Sequence, residues 1–420
     1  MESRHTDTDS VDVPQRGFGQ VTARQHIGFI LVLGALGAFG PLSMDMYLPA
    51  LPALTRNLQT SPSLAQLSIT ACLIGLALGQ IIIGPLSDAR GRRAPLIAGL
   101  IIFTVTSLLC TMVHSIFWLV LLRLLQGLAG SAGMVISRAV ARDLYSGPAL
   151  MKFFAMLMAI NGVFPILSPV MGGILLKFTD WRGVFVTLTV IGGLLLIGTL
   201  TNVPETLPKE RRIRGGIRSS LHVIGTIAKD RQFMGYAGVQ GLVMGAMFCY
   251  ISGSSFALQN IFHLSPFVFS LVFAVNGTGI VCMSQLAGVL ARRVDGKRIL
   301  RVAVTIAFAG SLALSASLLL PHPFLPAVLI PLFFIVAMVG LVNATAFSLA
   351  LQSQGAAAGS AAAMLGMGMN LIGALLSPLV GVLGSGTYLP MALLILLCDG
   401  GALLIYRLAV CPRTSRERHD

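Results

Sequence analysis

A chain of 420 residues that is 55% hydrophobic and 10% charged, with a mean hydropathy of +0.86, predicts an all-α membrane protein of twelve transmembrane helices in two six-helix bundles. Three observations lead there: the shortage of charge, twelve apolar runs of membrane length, and a basic stretch that parts them six and six. A soluble domain carries about 25% charged residues. A chain with less than half of that cannot cover a water-facing surface. Its 46 glycines fit the same class, because glycine lets membrane helices pack closely.

Crossing a hydrocarbon core about 30 Å thick takes about 20 residues at 1.5 Å each. Runs of that kind fall at 27–48, 65–86, 95–113, 116–138, 151–175, 184–203, 232–256, 266–290, 299–319, 326–350, 357–381 and 388–408. The first is too long and too late for a signal peptide, and the bulky MYLP that follows it offers no cleavage site. The bases set the orientation. With the N-terminus inside, 25 of the 29 Lys and Arg fall on the cytoplasmic side, and only Arg56, Lys177 and Arg182 fall outside. Arg123 lies within the fourth span. That bias puts both termini in the cytoplasm and accounts for the net charge of +14 without nucleic acid.

PETLPKERRIRGGIRSS at 204–220 is the longest polar stretch, and SLHVIGTIAKDRQF after it has the periodicity of a surface helix. The expected organisation is a tail at 1–25, a bundle at 26–205, a basic linker at 206–231, a second bundle at 232–409 and a tail at 410–420. A faint repeat supports it. GPLSDARGRR (84–93) follows span two and GVLARRVDGKR (288–298) follows span eight. Two similar halves of membrane helices point to a secondary transporter with its site between them. There is no GxxxxGK[ST] motif to bind ATP and no TVGYG-like filter. The six cysteines lie mostly in apolar runs without ligand spacing and read as small buried hydrophobes. No nucleotide, metal or prosthetic-group site is recognisable, so no cofactor and no enzyme activity is expected.

Three charged side chains fall well inside spans, and an ionised group there faces the bundle interior or a water-filled cavity. Two readings fit Asp45, in PLSMDMYLPALP. It is a proton or cation site, deepened by the prolines at 41, 49 and 52 that interrupt the helix, or it caps the following turn at the outer mouth. Arg123, in LLRLLQGLAGSAG, has no neighbour to pair with on its own helix, Gln126 lying one residue short of a turn away, and reads as a fixed positive charge that tunes a carboxylate or contacts substrate. Its alternative is to tie two helices together through backbone carbonyls. Asp399, in LLILLCDGGALLI, is a coupling or substrate residue or a local cap beside Gly400 and Gly401.

Asn161, Gln259, Asn276, Asn343 and Asn370 suit a lined path or interhelix bonding equally. Tyr47, Phe164, Tyr236, Phe248 and Tyr250, with 18 methionines, supply apolar walls for a drug-sized, adaptable pocket or ordinary packing. In the loop after span two, Asp88 precedes Arg90, Arg92 and Arg93, and Gly84 and Gly91 permit close helix approach. Such a cluster can latch the cytoplasmic side in one state and release it in another.

Together these residues resemble the major facilitator superfamily, and within it the drug:proton antiporters of the bicyclomycin-resistance (Bcr/CflA) group. GPLSDARGRR is similar to the superfamily's loop motif and LLRLLQGLAG to its span-four motif. ILSPVMGG (166–173) resembles the antiporter motif GPxxGG, with Ser168 in place of the first glycine. LSMDMYLPALP is close to the narrower group's first-span signature, and PETLPKERR closes the N-terminal half in the same way. The resemblance covers residues 25–410 and implies proton-driven export of amphipathic compounds across the bacterial inner membrane by a monomer. It implies that Asp45 binds substrate and proton, that Arg123 modulates coupling, and that Pro169, Gly172 and Gly173 bend span five. Asp399 matches no motif of the family. Arg292 stands where the second loop would carry the counterpart of Asp88, so the latch is expected to be asymmetric. A proton-coupled uptake transporter for a small metabolite shares the architecture and is the alternative.

Overall fold

The computed structural model describes residues 23–145, 147–212, 225–320, 324–352, 354, 358–384 and 387–410. Each predicted run falls on a helix. The helices are α1 (Ala23–Asp45), a short α2 (Leu51–Asn57), α3 (Pro62–Arg90), α4 (Arg93–Met112), α5 (Ile116–Leu144), α6 (Gly147–Leu175), α7 (Trp181–Asn202), α8 (Arg231–Phe256), α9 (Pro266–Leu290), α10 (Gly296–Ala316), α11 (Leu325–Gln352), α12 (Ala358–Val382) and α13 (Leu389–Ile405). Ten of these are long and apolar enough to span a bilayer on their described residues. Leu31–Gly40 and Leu42–Asn57 form an eleventh, bent by 49°, and α6 contributes the shorter apolar stretch Gly162–Leu175. A proline at 41, without a backbone N–H, stands at the bend.

The ends of the helices follow from local chemistry. Ser61, Asp180, Asp230 and Ser265 accept bonds from first-turn N–H groups of α3, α7, α8 and α9, and Pro62 and Pro266 occupy first-turn positions where no N–H is needed. At the other end of α3, Gly91 has φ +93°, a conformation that favours glycine. The expected surface helix in 220–233 lies partly outside the described residues. Its last part leads into Asp230, the cap of α8. Helix α5 runs on to Leu144, past the expected 138, which carries Asp143 up to the loop after α3.

The two halves pack by one scheme. In the first, α3 lies on α5, α4 on α7 and α1 on α6; in the second, α9 lies on α11, α10 on α13 and α8 on α12. The halves meet through α3 with α12 and α6 with α9, pairs that exchange under the same two-fold relation. Glycine sets the closest approaches. A Cβ on Gly127 of α5 would overlap the Cys72 carbonyl of α3, and one on Gly340 of α11 would overlap the Ile280 carbonyl of α9.

Among the described residues, three hydrogen bonds join the halves, all at one end of the molecule. The Gln66 amide donates to the Ser252 carbonyl at 2.9 Å, the Ser255 hydroxyl to the Leu48 carbonyl at 2.7 Å and the Gln259 amide to the Pro49 carbonyl at 3.2 Å. Lys177 adds a cation–π contact, its Nζ 3.6 Å from the centre of the Phe267 ring. This end is sealed. At the opposite, basic end, nothing beyond its own stretch of helix comes within 4 Å of where a Cβ on Gly84 would stand. The expected close approach is therefore present at Gly91, where a Cβ would meet Glu205 and Arg212, and absent at Gly84 in this conformation.

Candidate functional site

Between the halves lies a cavity of about 300 Å³. Its walls come from α1, α3, α5 and α6 on one side and α8, α9, α11 and α12 on the other. Asp45, Tyr250, Asn276, Asn343 and Asn370 line it, and Met44, Met134, Met244, Met247 and Phe248 supply much of its apolar wall. The lining continues from Asp45 toward the basic end, to Gln80 of α3, Met134 of α5 and Asn343 of α11.

Asp45 is the last residue of α1 and is 7% exposed. It caps nothing. The turn at Leu48–Ala50 and helix α2 start at Tyr47 and Ala50 without a side-chain cap bond, and the Asp45 carboxylate has no hydrogen-bond or ion-pair partner among the described residues. What it has is access to the cavity. The backbone around it is held from two sides. A Cβ on Gly172 of α6 would overlap the Met46 carbonyl, while Gly173 faces Ser270 of α9 in the other half. Pro165 and Pro169 interrupt the backbone ladder of the same helix, and Ser168 returns its hydroxyl to the Phe164 carbonyl at 2.5 Å.

Arg123 is fully buried behind that wall. Its Nη1 donates to the Ser43 carbonyl at 3.2 Å and to Gln126 Oε1 at 2.6 Å, and the Gln126 amide passes the chain on to Ser107 at 2.6 Å. The guanidinium carbon lies 5.0 Å from the centre of the Tyr47 ring and 5.9 Å from that of Phe185, contacts that favour a cation. The Tyr47 hydroxyl in turn meets Ser68 at 3.1 Å. Arg123 thus grips the backbone two residues before Asp45 and forms no ion pair with it or with any other described acid.

The remaining candidates fall in three places. Asn276 donates to the Tyr250 hydroxyl at 2.9 Å and Asn343 to the Met244 sulfur at 3.2 Å, so both amides tie C-terminal helices together as well as facing the cavity. Tyr47, Gln126 and Phe164 are not part of the lining; the first two belong to the Arg123 network. Asp399 lies in the C-terminal bundle, 0% exposed, with both carboxylate oxygens unpartnered. Ser311 faces it from α10 but donates its hydroxyl hydrogen to Phe308 at 2.8 Å. Tyr236 is in the core of the second bundle, and the Asn161 side chain lies outside the described residues.

At the basic end the loop cluster closes on its own half. Arg92 is paired with Asp88 at 2.5 Å and with Asp143 of α5 at 2.9 Å. Burial alone would lower its pKa, but the two carboxylates outweigh that and hold it above the ordinary arginine value. Glu205 accepts the backbone N–H of Arg92 at 2.8 Å, of Arg93 at 3.2 Å and of Leu207 at 3.0 Å, with Arg212 at 3.9 Å. Burial alone would raise its pKa; these donors and the guanidinium keep it below the usual glutamate range. Arg93 reaches the Leu200 carbonyl at 2.8 Å. Sequence reasoning missed Asp143 and Glu205 as partners. The signal available was an acid in ARDL at the end of a long basic helix and one in PETL.

The sequence profile described as the Major Facilitator Superfamily matches residues 33–378. The chain belongs to this superfamily. It is therefore a multi-pass membrane transporter and not an enzyme. The transporter is 42% identical over 372 residues, 88% of its own length and 92% of the relative's, to the uncharacterized MFS-type transporter YdgK of Bacillus subtilis (strain 168). It is 29% identical over 389 residues, 93% of its length and 96% of the relative's, to a bicyclomycin resistance protein homolog of Haemophilus influenzae. Among solved structures it is similar to an inward-facing, unoccupied bacterial homolog of the human lysosomal transporter Spinster. That match has a TM-score of 0.73, 14% identity, and covers 93% of this chain and 98% of the other, a likeness of fold.

Proposed function

We propose that this transporter is a proton-coupled antiporter that exports drug-like amphipathic compounds across the bacterial inner membrane by alternating access. The observation that carries the reading is Asp45: a carboxylate without a partner, on the wall of a cavity between two bundles that are sealed together at one end. A lone acid in such a place takes either a proton or a cationic substrate, and that competition couples the two. Arg123 acts on Asp45 by fixing the Ser43 backbone. Gly172 holds α6 against Met46, and Gly173 connects that contact to the other half. The methionine and aromatic walls fit varied apolar bodies.

In this reading the bundles are 26–205 and 232–409, joined by the basic linker 206–231, and the protein works as a monomer. The bias of Lys and Arg puts the basic end and both termini, 1–25 and 410–420, in the cytoplasm. The sealed end is then external and the conformation faces inward. Similarity to a bicyclomycin resistance protein homolog supports export of drug-like molecules. Accumulation of a panel of dyes and antibiotics in a pump-deficient bacterial strain tests the direction. Lower accumulation and higher tolerance on expression are expected; raised accumulation of a panel compound would make the protein an uptake transporter instead.

A further inference from the structure

A second apolar space, of about 530 Å³, opens on the lipid-facing side between α9 and α11. It begins where these helices part. At Gly340 and Ile280 they touch backbone to side-chain position, and a Cβ on Gly279 would stand 3.0 Å from both Ala337 and Phe333. From there toward the sealed end, Leu271, Val275, Ile330, Phe333 and Phe334 line the gap. Val275 and Ile330 are 58% and 59% exposed, so the mouth of the groove faces hydrocarbon.

Asn276 lines both this groove and the central cavity. It is the polar group at the groove's inner end, and its amide bonds the Tyr250 hydroxyl at 2.9 Å. The Tyr250 ring stacks on Phe273, with centroids 5.5 Å apart. Asn276 thus borders both spaces, and Tyr250 and Phe273 lie on the cavity side of it. The Asn276 and Tyr250 side chains are both buried.

We propose that the α9–α11 groove is a lateral entrance through which membrane-dissolved amphipathic substrate reaches the central cavity. The inference rests on the export reading for what is carried. Three features argue for this occupant. The groove adjoins the cavity, with Asn276 a wall of both. Its volume suits a drug-sized body, for which pockets run from about 300 to 1,000 Å³. Its apolar walls with one amide at the inner end match a molecule with an apolar body and a polar tip. Its position beside the sealed end lets a compound enter from the leaflet on that side while the direct aqueous path there is closed.

The test uses the purified full-length protein in lipid nanodiscs and the apolar photoprobe 3-trifluoromethyl-3-phenyldiazirine, with adducts mapped by mass spectrometry. Adducts are expected at Val275 and Phe334 in the groove and at Tyr250 and Phe273 inside. Val275→Trp should abolish the inner adducts while leaving those on the exposed Phe117 and Val190 of the other half unchanged; Val275→Ala should increase the inner ones. Leu271→Trp serves as an independent plug should Val275→Trp fold poorly. Inner labelling that survives both plugs would mean the probe enters from the basic end, and labelling that stops at the rim would make the groove a seat for an acyl chain. Either result overturns the proposal. Loss of the export reading, seen as unchanged dye accumulation in cells, leaves this labelling pattern readable on its own.

Discussion

The two halves share a packing scheme but hold themselves together differently. Counting four residues back from the contact glycine reaches Arg123 in the first half (from Gly127) and Val336 in the second (from Gly340). The first half fills that place with a charge that grips the α1 backbone; the second fills it with a cavity-lining aliphatic. The same asymmetry holds at the basic end, where Arg92, Asp88, Asp143 and Glu205 are clamped together while none of the second loop's bases, Arg292, Arg293 and Lys297, has an ion pair among the described residues. The embedded acids differ too: Asp45 opens on the cavity and Asp399 is closed off from it. Polar investment thus concentrates in the half that carries the accessible acid, and the other half supplies most of the apolar and amide wall.

The largest effects should come from the glycines that the halves share. Gly127→Leu and Gly340→Leu each drive a side chain into a backbone carbonyl that cannot move alone, and overpacking of this kind costs about 1–3 kcal/mol or more. Both variants should lose thermal stability in detergent as well as transport. A loss confined to one half would break the equivalence. Gly172→Leu should behave in the same way, because its neighbour is the Met46 backbone and not a flexible side chain.

Arg123→Ala comes next. It removes the anchor on Ser43 and leaves Gln126 without its donor, so transport should fall steeply with the protein still in the membrane. Lys restores charge without the planar fork and should rescue only part of the activity. Val336→Ala, the counterpart, should change substrate preference and leave coupling intact. Full transport by Arg123→Ala at normal expression would reduce Arg123 to packing.

Smaller effects are expected at the loops. Arg92→Gln loses charge-assisted bonds to two acids and should destabilise the protein by roughly 1–3 kcal/mol, whereas Arg292→Gln should be neutral within error. Glu205 adds a pH dependence. Its folded pKa lies below the ordinary value, so its contribution is present above that value and is lost as pH falls through the folded pKa. Thermal stability measured from neutral to acidic pH should show that loss in the wild type, and Glu205→Gln should remove that part of the slope.

Much of the fold was legible because hydropathy and charge bias act over whole helices. The Arg123–Gln126 bond was not read from the sequence, where Arg123 has no pairing neighbour on its own helix; residues three apart on a helix are neighbours, and the 2.6 Å contact corrects that reading. The cap assigned as an alternative for Asp45 was not borne by the turn that follows, which starts at Tyr47 and is uncapped. The contacts that seal one end were illegible for a physical reason: Gln66, Ser255 and Gln259 donate to backbone carbonyls, and every residue has one. The distinction between Asp45 and Asp399 was hidden likewise, because access depends on which helix face meets the other half and not on local sequence.

The central claim is that Asp45 is the group at which proton and substrate compete, and Asp45→Asn tests it most directly. The side chain keeps its size and loses the ability to titrate. The variant is purified, reconstituted in liposomes, and followed for drug-driven proton release and for uphill substrate movement under an imposed pH gradient. We expect normal amounts of folded protein, with both signals abolished. Uphill transport driven by the pH gradient in Asp45→Asn would contradict the account and move the coupling site elsewhere, with Asp399 the first place to look.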